Sequence, residues 1–227
     1  MKIAIFIARE NSKRIKNKNI KLFNGIPIIK KTFELVNSFN IFDKIFLSTD
    51  SQKIINVCSG LKFDEIIKRP KKLGQNSVTT NQVINHSIDI LKKKFDFKYV
   101  CCIYPCSLLL EKKNLLNSFK LLKSNKDFVF PILPYQEPIE QALKISNQNR
   151  IKYVFPKYSK KNTQYFKKKY YDAGQFYIST IDGWNAKNKR LKGLTLQKYS
   201  TVDIDDIDDW NFANYLYIKK YETNKKK

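Results

Sequence analysis

Residues 3–19 read IAIFIARENSKRIKNKN, an apolar run with no charge before Arg9 and then a loop dense in basic and amide side chains. Ile3, Ile5 and Ile7 alternate with Ala4, Phe6 and Ala8, so an extended chain here is apolar on both faces. Strands of that kind lie inside parallel sheets covered by helices on either side, and the run predicts an α/β fold. Open α/β sheets bind ligands beyond the carboxyl ends of such strands. The loop that follows offers Arg9, Lys13, Arg14, Lys16 and Lys18 as cations, with Asn11, Ser12, Asn17 and Asn19 as neutral hydrogen-bonding groups. Arg grips phosphate oxygens with a planar fork, whereas Lys acts as a mobile point charge. A solvated basic turn is the competing reading, since charge runs commonly face water. The loop has no glycine, which excludes a P-loop or a dinucleotide fingerprint.

Working outward, 227 residues suffice for a single domain with a real core, and 42% hydrophobic with 14% aromatic residues excludes disorder. The net charge of +24 raises nucleic-acid binding as a function. Only five of the 44 cations are Arg, however, and the Lys are spread along every segment, as a compositional bias would leave them. A small anionic substrate fits that charge better, and no nucleic-acid partner is expected. The cysteines at 58, 101, 102 and 106 have no zinc-ligand spacing and read as reduced core residues. Lys2 precedes only six apolar residues before Arg9, and no run approaches a membrane span, so a cytoplasmic location without membrane contact is expected.

Along the chain, Pro27 opens a helix with an apolar stripe at Ile28, Ile29, Phe33 and Val36. A strand at 44–49 ends in Ser48, Thr49 and Asp50, and Asp50 either faces a site or caps a helix at 51–58. A strand at 63–67 leads to Arg69, a helix runs from 80 to 95, and strands at 99–104 and 128–133 flank a helix at 112–124. From 134 to 170 the pattern turns irregular and Lys-rich, as in a lid or a dimerisation arm. Gly174 precedes a β-prone run, FYIST. Five Asp then fall within residues 203–209 of a very basic chain. Asp203 and Asp205, two apart on an expected strand at 200–204, share a face and suit Mg²⁺, a hard cation that completes its shell with phosphates and water. Asp206, Asp208 and Asp209 precede a helix with Trp210, Ala213, Leu216 and Tyr217, where negative charge favours the amino end.

Three strings carry a resemblance. ARENSKRIKNKN (8–19), DAGQFY (172–177) and DIDD (203–206) resemble the CMP-sialic acid synthetase family, the second string being of the type found in its pseudaminic acid branch. The resemblance spans nearly the whole chain and implies a three-layer α/β/α, nucleotide-diphospho-sugar transferase-like (Rossmann-like) domain with a mostly parallel sheet. It also implies CTP and a nonulosonic acid as substrates, Mg²⁺ as cofactor and a homodimer. Residue by residue, it puts nucleotide contacts on Ala8, Arg9, Asn11, Ser12, Lys18, Asn19, Arg69 and Tyr104. Sugar contacts fall on Gln164, Asp172, Gln175 and Tyr177, metal ligation on Asp203 and Asp205, and the catalytic charge balance on Arg9, Lys18 and Asp205. This chain departs from the pattern at Cys106, Leu108, Glu140, Gln141 and Asn162. The same chemistry on legionaminate, sialate or 3-deoxy-octulosonate is the near alternative, and a non-catalytic RNA-binding protein the distant one.

Overall fold

The apolar run becomes β1 (Lys2–Ala8), in which Ile3, Ala4, Ile5, Phe6 and Ala8 are wholly buried. The structure is a computed structural model that describes residues 1–10 and 12–222. Further strands follow as β2 (Lys44–Thr49), β3 (Glu65–Lys68), β4 (Tyr99–Ile103), β5 (Asp127–Pro134), β6 (Tyr170–Asp172), β7 (Phe176–Thr180) and β8 (Arg190–Thr195). The helices are α1 (Ile28–Ser38), α2 (Gln52–Val57), α3 (Thr80–Leu91), α4 (Lys112–Leu121), α5 (Ile181–Asn185) and α6 (Ile207–Tyr217).

β3, β2, β1 and β4 pair in that order and all parallel, with Ile3 opposite Lys44 on one side and Val100 on the other. β7 joins the sheet antiparallel between β4 and β5, β6 pairs antiparallel with the far end of β5, and β8 runs parallel along its other edge. Ala4, Phe6 and Ala8 pack on one face against α1, α2 and α4 through Ile29, Phe33, Ile54 and Leu115. On the other face Ile3 and Ile5 meet Ile84 and Ile88 of α3 and Trp184 of α5. Helices on both faces explain why β1 shows no polar alternation.

A third cluster joins the two ends of the sequence. Ile15 of the basic loop, Phe23, Ile28 and Leu108 pack with Ile204, Trp210 and Ala213, and the Phe23 ring stands edge-on to Trp210 at 5.3 Å. The loop is therefore roofed by α6. At the start of β5, fully buried Asp127 takes ion pairs from Arg190 at 2.8 Å and Lys192 at 2.7 Å, plus the N–H groups of Lys123 and Ser124. Burial opposes its charge, but these hydrogen bonds outweigh it and hold the carboxyl well below the usual carboxylate range.

Some expectations need correction. No strand forms at 200–204, because side chains rather than a ladder hold that segment: Gln175 Nε2 donates to Thr201 Oγ1 at 2.7 Å, and Lys18 Nζ donates to the Ile204 carbonyl. α3 stops at Leu91, short of the expected residue 95, as the chain turns over Lys92 to Phe95. Asp50 does not cap α2: Ser51 does, its Oγ accepting from Ile54 N–H at 3.3 Å. The excursion is closed at its base by Tyr135 N–H donating to the Lys169 carbonyl, and carries a short hairpin, Leu143–Ile145 against Ile151–Tyr153. Among the described residues no helix is long and apolar enough to cross a membrane.

Candidate nucleotide site

The carboxyl ends of β1 and β4 open into a cavity of about 350 Å³, within the range of small-molecule sites. Four parts of the chain line it: the basic loop, the segment from Arg69 to Thr80, the turn after β4, and Gly174 with residues 202–205.

The loop is shaped from within. Asn17 adopts a left-handed backbone, φ 56°, which Asn tolerates better than most residues. Buried Asn19 donates from Nδ2 to the Arg9 carbonyl at 2.9 Å, while Ile15 is pinned in the third cluster. Arg9, Ser12, Lys13, Arg14, Lys18 and Asn19 thus border one cavity, and Arg9 Nη1 donates to Asn76 Oδ1 at 2.9 Å. Asn11 lies outside the described residues. Ala8 is wholly buried, and its carbonyl accepts from Arg69 Nη2 at 3.0 Å.

The basic loop closes on the acidic segment. Asp205 Oδ1 takes Arg14 Nη2 at 2.9 Å and Lys18 Nζ at 3.5 Å. Gly174, at φ +61°, lets Asp203 in: a Cβ there would stand 2.4 Å from the Asp203 Cγ. Asp203 faces the open cleft, yet the surrounding wall strips enough water to push its carboxyl up to about 6, with repulsion from Asp205 adding to the rise and Lys18 opposing it. Among the described residues no cluster of three or more His, Cys, Asp or Glu could hold a metal. Two hard carboxylates, one of them raised by burial and further by its like-charged neighbour, fit a Mg²⁺ whose remaining ligands would come from substrate phosphates and water.

Arg69 and Tyr104 also border the cavity. Arg69 is buried, its guanidinium fixed by the Ala8 and Ser48 carbonyls and by Asp50, and burial lowers its pKa against the pull of Asp50. The Tyr104 hydroxyl meets Thr80 Oγ1 at 2.8 Å, and burial pushes its pKa up to about 12. Cys106, which replaces the residue usual in the resembled family, sits in the same turn with its thiol raised to about 12 by burial.

The expected sugar-side residues do not line this cavity. Gln175 is 2% exposed and spends its amide on Thr201, so it holds the acidic segment in place. Tyr177 packs edge-on to Tyr104 at 5.7 Å and donates to Asp172 Oδ2 at 2.6 Å. Asp172 also accepts from Gly174 N–H at 2.9 Å. Gln164 is exposed on the excursion, apart from the others. Lining residues given no role in the sequence reading include Gln75, Asn76 and Thr80, on the 69–80 connection. Their polar side chains carried no pattern, and only the position of that connection at a strand's carboxyl end pointed to them.

A mostly parallel sheet with a basic loop, a paired-carboxylate segment and a nucleotide-sized cleft between them defines a nucleotidyltransferase. A CMP:2-keto-3-deoxy-manno-octonic acid synthetase solved in complex with CTP has the same fold, with a TM-score of 0.67 over 97% of this chain and all of that one, at 10% identity. The chain belongs to the cytidylyltransferase family, whose model matches residues 3–196. It is 31% identical to a pseudaminic acid cytidylyltransferase of Campylobacter jejuni over 97% of this chain and 98% of that one. It is also 26% identical to a CMP-N,N'-diacetyllegionaminic acid synthase of Legionella pneumophila, over 94% of this chain and 95% of the relative.

Proposed function

We propose that this enzyme couples CTP to pseudaminic acid, giving the CMP-sugar and pyrophosphate for cell-surface or flagellar glycosylation. The observation that carries the reading is the closure of Lys18 and Arg14 on Asp205 at the mouth of a nucleotide-sized cleft. The relative from Campylobacter jejuni supports the choice of sugar, as does the string DAGQFY. The anomeric hydroxyl of the sugar attacks the α-phosphorus in line, and pyrophosphate leaves. Arg9 and Lys18 neutralise the triphosphate, and Arg69 and Tyr104 border the nucleoside. Asp203 and Asp205 would hold Mg²⁺, which when bound supplies charge neutralisation and orientation of the phosphates. Asp172, beside Gly174 and Tyr177, meets the sugar at the edge of the cleft.

The excursion supports a homodimer. Leu143, Ile145 and Ile151 are 55%, 67% and 61% exposed, an apolar surface that a second copy would cover, and that copy could bring Gln164 to the partner's cleft. Pyrophosphate release from CTP with Mg²⁺ and a panel of nonulosonic acids tests the reading. Pseudaminate should be turned over fastest; preference for the legionaminate named by the second relative would move the enzyme to that branch.

A further inference from the structure

Asp50 lies at the end of β2 with its side chain 7% exposed, and its Oδ1 meets Arg69 Nη2 at 3.2 Å. Gly74 is pressed against it: a Cβ there would stand 2.1 Å from Asp50 Oδ2. No residue but glycine fits at 74 while Asp50 keeps this place. Arg69 has five N–H donors. Three are spent inside the protein, on the Ser48 carbonyl at 3.1 Å, the Ala8 carbonyl at 3.0 Å and Asp50. Nε is buried and has no partner among the described residues, and the residue borders the cavity. A buried donor without an acceptor costs free energy unless a ligand supplies one.

We propose that Asp50 is a positioning residue for nucleotide binding. It fixes the guanidinium of Arg69 so that one side braces the Ala8 carbonyl under the phosphate loop while the second Nη1 hydrogen is left for the cavity's occupant. The Asp50 carboxylate acts on the nucleotide only through Arg69, and Gly74 exists to admit it. The inference rests on reading the cleft as the CTP site.

Calorimetric CTP binding to the wild type, Asp50→Asn, Arg69→Lys and the double variant tests it, with thermal melts alongside. Asp50→Asn should weaken CTP by roughly tenfold, the scale of a lost charge-assisted hydrogen bond, and raise its KM while kcat and the sugar KM stay within about threefold. On the Arg69→Lys background the same substitution should have no further effect. Gly74→Ala, which displaces Asp50 without removing a charge, should weaken CTP in the same way and carries the test if Asp50→Asn does not fold. CTP affinity unchanged in Asp50→Asn or in Gly74→Ala, or an Asp50→Asn penalty undiminished on Arg69→Lys, overturns the assignment alone. Failure of the wild type to bind CTP overturns the nucleotide reading and the assignment together.

Discussion

The basic loop at 9–19 and the excursion at 135–169 both follow strands of one sheet, and both are irregular and rich in Lys, yet the chain treats them in opposite ways. The loop is tied into the molecule at every turn, with Ile15 and Asn19 buried, Lys18 on the Ile204 carbonyl and Arg14 on Asp205. The excursion turns Leu143, Ile145 and Ile151 outward, and all six residues of its hairpin are exposed. A two-stranded hairpin is marginal in water by itself. One region is therefore packed into the chain's own core, and the other leaves an apolar surface exposed. On the proposed reading, nucleotide handling falls to the former and assembly to the latter.

Four experiments test that contrast. Asp205→Asn should lower turnover by about 100-fold or more, because charge neutralisation by a bound metal is worth several kcal/mol. Near-normal kcat would remove Asp205 from the metal site. On the other side of the comparison, Ile145→Glu should weaken dimerisation by about 30-fold, as for loss of an interface hot spot of about 2 kcal/mol, read by light scattering across a dilution series. CTP binding to the resulting monomer should persist; if it vanished, the loop region would not be self-sufficient. Gly174→Ala should drive Asp203 from its place and weaken Mn²⁺ or Mg²⁺ binding by about tenfold, a typical cost for disturbing the support of a ligand.

The smallest effect is with pH. Because the Asp203 carboxyl is raised to about 6, metal affinity should be level above pH 7 and fall about twofold near pH 6, then continue down as protons compete. Stability without metal moves the other way. A carboxyl whose folded pKa exceeds the unfolded value favours the fold in its neutral form, so that contribution is complete below about pH 3.8 and gone above about 6. Melting curves of the metal-free protein and its Asp203→Asn variant should diverge over that window.

Much of this was legible in the residues. β1 announced itself because apolar side chains without alternation have one home, and the placing of loop and carboxylates in one site followed from the resemblance carried by their motifs. What was not legible depended on contacts distant in sequence. Ser200 to Ile204 carries strand-like alternation, but Gln175 and Lys18 hold it by side chains, which no local pattern reveals. β8 was missed because Arg190 and Lys192 look like solvent-facing cations until buried Asp127 is found beneath them. Asp50 was left open between a site residue and a helix cap, because its partner, Arg69, lies 19 residues on.

The cluster that packs Ile15 and Phe23 against Ile204 and Trp210 has a consequence for how the enzyme comes into being. Lys18 and Asp205 are 187 residues apart, so closing them is among the most entropically demanding steps the chain takes. A nascent chain that has emerged only as far as β8 already has every strand of its sheet and both faces of its core. It has no roof over the loop and no carboxylates facing it. Synthesis thus delivers the sheet first and the acidic segment that faces the loop last.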